Sequence, residues 1–133
     1  MGIKGWRWCV CCCLASLSTA CAFDVVHVTQ NPARLESPRS GAEPFQLARE
    51  INIDLGTGFS RALRSGTRWE PVGHIAQGDV YRTRDQVLTV EASNVYEAYI
   101  VVSSNNLVGF YLPVQKTFSP LPEPQALEMK PPQ

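Results

Sequence analysis

QVLTVEASNVYEAYIVVSSNNLVGFYLP, residues 86–113, is the longest stretch in which β-strand signals run through consecutive elements. Tyr96, Ala98, Ile100 and Val102 form one apolar set, and Val95, Glu97, Tyr99 and Val101 form a mixed set between them. A period of two marks a strand with one buried face. After Ser103-Ser104-Asn105-Asn106 the apolar positions resume at Val108, Phe110 and Leu112. The reading is a hairpin at the centre of a small β domain. Matching the apolar faces pairs Val102 with Val108, Ile100 with Phe110 and Ala98 with Leu112, and closes the hairpin at Ser103 and Leu107. The loop is then Ser104-Asn105-Asn106, with Asn106 at positive φ, a conformation asparagine tolerates. A two-residue turn would put apolar residues opposite the wrong face. The same register sets Tyr99 against Tyr111 and Val101 against Gly109 on the other face. With Leu107, the residues Tyr99, Tyr111 and Val101 make an apolar, aromatic strip that reads as an interaction surface, because tyrosine offers contact area and a hydroxyl at little entropic cost. Cover by the early segment 23–29 or by the C-terminal tail is the alternative.

The chain has 133 residues, enough for one ordinary domain, and a formal net charge of zero. A nucleic-acid footprint would show as a basic excess or stripe, so no nucleic-acid partner is expected. All five cysteines (Cys9, Cys11, Cys12, Cys13, Cys21) stand at or before position 21. The rest of the chain therefore has no thiol for a disulfide, a thiolate metal site or a nucleophile. Lys4 and Arg7 precede the uncharged, largely apolar run CVCCCLASLSTA, residues 9–20. That order of charge, apolar run and small residues is the form of a secretory signal peptide, too short for a membrane-spanning helix.

The end of this segment, Leu17-Ser18-Thr19-Ala20-Cys21, resembles the lipobox of bacterial lipoproteins. The resemblance covers about the first 21 residues and implies lipidation at Cys21, with the membrane as a partner through its acyl chains. The favoured leucine lies one place upstream of its usual position, where Ser18 stands instead. By analogy with that class, Ala22 in place of aspartate after the cysteine implies an outer-membrane lipoprotein facing the periplasm. Ala20-Cys21-Ala22 also forms an A-x-A cleavage site, which would release a soluble periplasmic or secreted protein beginning at Phe23.

Four parts follow: a signal peptide over 1–21, a tether or linker over 22–43, a small β domain over 44–119, and a Pro-rich disordered tail over 120–133. The linker, rich in Pro, Ser, Gly and charge, includes a possible short strand at 23–29. Residues 44–49 can form one helical turn with Pro44 at its start. Ile51, Ile53 and Leu55 alternate as the buried side of a strand that Gly56-Thr57-Gly58 ends. Trp69–Ile75 reads as a strand whose Pro71 requires an edge or a bulge. Short strands with turn residues between them predict an all-β fold, a small antiparallel barrel or sandwich of about six strands, SH3-like among the options. Five prolines after Phe118 argue against a packed strand there.

No catalytic residues emerge. His27 and His74 lack metal-ligand spacing, no serine stands in a G-x-S-x-G context, and Gly56-Thr57-Gly58 lacks the remainder of a phosphate loop. No metal or cofactor is expected. Arg61, Arg64, Arg68, Arg82 and Arg84 form the densest basic group, and the three within residues 59–69, Arg61, Arg64 and Arg68, are the candidate anion contacts, since guanidinium forks bind phosphate and carboxylate. Interspersed acids would cancel much of their field. The functional expectation is a non-catalytic cell-envelope lipoprotein, a tethered β module acting through contacts with an envelope protein. The alternative is a soluble periplasmic small-ligand-binding barrel in which Trp69, Tyr81, Tyr99 and Tyr111 line a pocket.

Overall fold

In the computed structural model, which describes residues 25–133, every regular element is a β-strand. In chain order these are β1 (Asn31–Pro32), β2 (Phe45–Leu47), β3 (Ile51–Asp54), β4 (Ser60–Leu63), β5 (Arg68–Ile75), β6 (Gly78–Thr83), β7 (Thr89–Glu91), β8 (Val95–Glu97), β9 (Tyr99–Ser103), β10 (Asn106–Leu112), β11 (Thr117–Ala126) and β12 (Met129–Lys130). Eight of them form one antiparallel sheet in the order β1-β11-β10-β9-β6-β5-β2-β12, and β3-β4 and β7-β8 are separate hairpins. The fold is all-β and antiparallel. It is not a closed barrel, because β1 and β12 end the large sheet without pairing to each other, and it has twelve short strands where about six were expected. The signal segment and Cys21 lie outside the described residues.

The large sheet is buried on both faces. Ile100 and Val102 of β9 enter a larger core with Phe45, Trp69, Phe110 and Leu112, closed over by Ile53 and Leu63 of β3–β4 and Val90 of β7–β8. Val101 points the other way, into a smaller core with Ile75, Val80, Tyr111 and Phe118. Phe45 lies roughly parallel to Trp69 and edge-on to Tyr81 (ring centroids 6.4 and 5.0 Å apart), which fills the larger core with aromatic area.

The central hairpin forms with a different turn. Ser103 pairs with Asn106 and Val102 with Leu107, which leaves the two-residue turn Ser104-Asn105 with φ of 50° and 62°. Two consecutive residues at positive φ match the strand twist of a hairpin. Asn106 is a strand residue and does not have positive φ. Parity is restored by an irregularity between Leu107 and Gly109, after which Val101 faces Gly109, Ile100 faces Phe110 and Tyr99 faces Tyr111, as the alternation required. The extra residue at the bulge lets Leu107 and Phe110, three apart, both enter the larger core. The expected continuous strand through Ala98 is cut there: the Ala98 N–H donates to the Leu88 carbonyl (3.1 Å), β8 folds back on β7, and β9 joins the large sheet. The expected pair Ala98–Leu112 does not form, and Leu112 pairs with Thr117. Pro71 does sit beside a bulge, between Pro71 and Gly73.

The expected disordered tail is instead the ten-residue strand β11 followed by β12. Pro120, Pro122 and Pro124 are two apart, and alternate residues of a strand direct their backbone N–H to opposite edges. Ala33 donates to the Lys116 carbonyl (3.1 Å), so the even-numbered positions at the start of β11 face β1. Pro120 thus gives up its donor on the outer edge, beyond Asn31, where β1 has ended. Leu121 and Leu127 anchor this segment in the larger core, and residues 117–130 supply strands to both flanks of the sheet.

The expected linker is also part of the fold from Val28, which is buried in the larger core. No strand forms over 25–29, and β2 replaces the expected helical turn after Pro44. After β1 the chain crosses the smaller core, laying Ala33 and Leu35 on it, and Glu36 bridges His74 by reciprocal backbone hydrogen bonds of 2.9 Å. A Cβ on Gly73 would stand 2.4 Å from the Glu36 carbonyl oxygen and 2.5 Å from a Leu35 methyl, so only glycine admits this crossing.

Candidate functional site: a tyrosine groove with a basic rim

Tyr99 and Tyr111 lie side by side because the hairpin register pairs them, with ring centroids 6.5 Å apart and planes tilted by 35°. They line a groove of about 540 Å³ on the smaller-core face, together with Leu35, Val72, Arg34, Arg82 and Lys116. Arg34 comes from the segment after β1, Arg82 from β6, and Lys116 from the turn between β10 and β11. Lys116 adopts φ of 57°, its N–H donates to the Leu112 carbonyl (2.8 Å), and its own carbonyl accepts from Ala33. That contact brings Arg34 and Lys116 to one rim.

The residues lining this groove include three cations and no carboxylate. Arg82 is held by Glu70, whose carboxylate accepts from its Nε at 2.7 Å; this bond keeps the Arg82 guanidinium pKa above its usual value and the Glu70 carboxyl below its own. Burial pushes the Tyr111 hydroxyl pKa up, with a smaller contribution from Tyr99, so the phenol remains a neutral hydrogen-bond donor. Two tyrosine rings, an apolar floor and a cationic rim suit a ligand with a planar or apolar portion and a negative charge.

The strip read from the sequence is only partly a surface. Val101 and Leu107 are fully buried, in different cores, and Leu107 faces away from the tyrosines. Tyr111 is buried, and Tyr99 is half-buried. Among the described residues the cover comes from Ala33 and Leu35, with Phe118 from the start of β11. Arg61, Arg64 and Arg68 do not form an open anion site. Arg61 is ion-paired with Glu91 and donates to the Thr89 carbonyl (3.1 Å), tying β4 to the β7–β8 hairpin. Arg64 donates to the Asp85 carbonyl (2.7 Å), and Arg68 grips both Asp85 carboxylate oxygens (3.2 and 3.0 Å). Hydrogen bonding from Arg68 lowers the Asp85 carboxyl pKa. Trp69 and Tyr81 belong to the larger core, on the opposite side of the sheet from Tyr99 and Tyr111, so the four aromatics do not converge on one cavity.

Sequence reading found the tyrosine pair, placed Arg82 in the basic group without bringing it to the tyrosines, and missed Arg34 and Lys116. The three cations come from segments far apart in the chain. The one local hint was the alternation of Ala33 and Leu35 within the Pro- and Ser-rich stretch. Among the described residues no group of three or more His, Cys, Asp or Glu side chains is placed to hold a metal ion. Comparison with protein families, with curated proteins and with solved structures finds no match for this chain.

Proposed function

We propose that this protein is an exported, non-catalytic β module, anchored in the outer membrane through a lipidated Cys21 and facing the periplasm, that binds an acidic segment of an envelope protein in the Tyr99–Tyr111 groove. The observation that carries the binding assignment is the groove's composition: two tyrosines beneath a rim of Arg34, Arg82 and Lys116 with no acid in the lining. The signal-like segment and its lipobox-like end support the location. Because Val28 is already buried, the free tether after Cys21 is short, and seven residues reach at most about 25 Å. The module then works close to the bilayer.

The test is photo-crosslinking in cells from a probe at Pro113, an uncharged position in the groove lining. An adduct with an envelope protein that disappears in the Arg34→Glu/Lys116→Glu variant, with folding intact, supports the groove. An adduct that survives the charge reversal refutes it. The intact mass of the mature protein reads the anchor separately, as acyl chains on Cys21 or a chain that begins at Phe23. A soluble small-ligand-binding protein is the second reading, favoured by a groove volume within the range of small-molecule sites. A small molecule retained in native mass spectra and lost in the same double variant would select it.

A further inference from the structure

The ends of the two small hairpins meet beside the start of the described chain. The Ser93 N–H at the β7–β8 turn donates to the Val26 carbonyl (3.1 Å). The β3–β4 turn reaches the same place, where the Thr57 hydroxyl donates to the Glu91 carbonyl, and Glu91 pairs with Val95 across β7–β8. The Leu55 N–H, donating to the Phe59 carbonyl (3.0 Å), closes that turn. Of the six large apolar side chains that are exposed among the described residues, four stand around this junction: Val25 (56%), Val26 (40%), Phe59 (45%) and Val95 (65%). Arg61 is ion-paired with Glu91, the Asp54 carboxylate accepts from the Gly56 N–H at 2.8 Å, and Glu97, exposed on the same side of β8 as Val95, is the carboxylate at the margin of the junction.

The position of this junction decides what covers it. Val25 is four residues from Cys21, and four residues span at most about 14 Å. Acyl chains on Cys21 would therefore hold the hairpin ends at the level of the lipid headgroups, where apolar and aromatic side chains are stabilised by leaving water. We infer that this junction is the membrane-facing surface of the protein, with Phe59 and Val95 entering the headgroup layer of the bilayer that carries the Cys21 lipid. The inference rests on lipidation of Cys21, and it adds an orientation that a flexible tether alone would not impose.

Tryptophan fluorescence tests it. Trp6 and Trp8 precede Cys21, so the processed chain keeps only Trp69, which is buried in the larger core. Phe59→Trp, Val95→Trp and Val114→Trp variants are purified as full-length processed protein and placed in phosphatidylethanolamine–phosphatidylglycerol vesicles carrying brominated phospholipid. Val114 is exposed on the turn between β10 and β11 and serves as the remote control. The expected result is strong loss of emission for Phe59→Trp and Val95→Trp, with Val114→Trp and the parent protein little affected. Equal quenching of all three variants, or of none, overturns the inference. A blue shift of Phe59→Trp emission with protein concentration in the absence of lipid would assign the surface to a second copy and also overturn it. Intact mass separates this from failure of the anchor. If Cys21 carries no acyl chains, the anchor fails and the inference is overturned with it; if Cys21 is acylated and Phe59→Trp is not quenched, the surface alone is rejected.

Discussion

The two faces of the large sheet are built by different means. One face is closed by two hairpins and the leucines of β11 and the segment after it, around large side chains such as Trp69, Phe110 and Leu107 that are all but fully buried. The other face is closed by one irregular segment, which contributes Ala33 and Leu35, and by Phe118. A face covered by interlocking strands is a core. A face covered by a single crossing strip is a lid held by few contacts, and such a strip leaves a groove along its side. The basic groove of this protein lies along that thinner cover.

The sharpest way to break this contrast is to truncate the thick side. Phe110→Ala should cost about 3–5 kcal/mol and lower the urea midpoint of the whole chain in one transition. A second, separate transition would show that the two faces fold independently. The next effect lifts the lid. Gly73→Val, by driving a side chain into Leu35 and the Glu36 carbonyl, should cost about 1–3 kcal/mol. Amide exchange should speed at Glu36 and His74 while Ile100 and Phe110 stay protected. Uniform loss of protection would mean that the strip is as integral as the hairpins.

Smaller effects sharpen the comparison. The turn Ser104-Asn105 serves both faces through the register it imposes, so Ser104→Val should destabilise by about 1–2 kcal/mol, and Ser104→Gly should be neutral or stabilising. Equal midpoints for the two variants would contradict the left-handed turn. The weakest effect is alkaline. Burial raises the hydroxyl pKa of Tyr81 on the thick side and of Tyr111 on the thin side. The fold therefore favours the neutral phenols. Their contribution is complete below the ordinary tyrosine value of about 10 and is lost as pH rises through the folded values. Tyr81→Phe or Tyr111→Phe should each flatten the fall of the urea midpoint between neutral and strongly alkaline pH, and an unchanged slope would show that the hydroxyl ionises freely.

Local pattern was enough to predict an all-β chain, the opposition of Tyr99 to Tyr111 and of Ile100 to Phe110, the turn at Gly56–Gly58 and an edge or a bulge at Pro71, of which the structure takes the bulge. Each of these follows from side-chain period or from the missing donor of proline, properties carried by neighbouring residues. The loop of the central hairpin was misread because a bulge at Val108 shifts parity, and a sequence with one apolar residue too many does not say where the extra residue is absorbed. The C-terminal strand was hidden for the opposite reason. Prolines normally exclude pairing, yet at a spacing of two they can spare one edge, and whether that edge faces β10 or solvent depends on strand order.

By itself the sequence determined the elements whose signal is periodic and local, the confinement of cysteine to the first 21 residues and the tyrosine half of the groove. The tertiary structure decided which face each strip covers, that the Pro- and Ser-rich segment closes the smaller core, and that Arg34, Arg82 and Lys116 share one rim. Those outcomes depend on contacts between residues dozens of positions apart. The free energy of such contacts comes from apolar area removed from water and from backbone groups paired across strands, and neither is written in any short window of the chain.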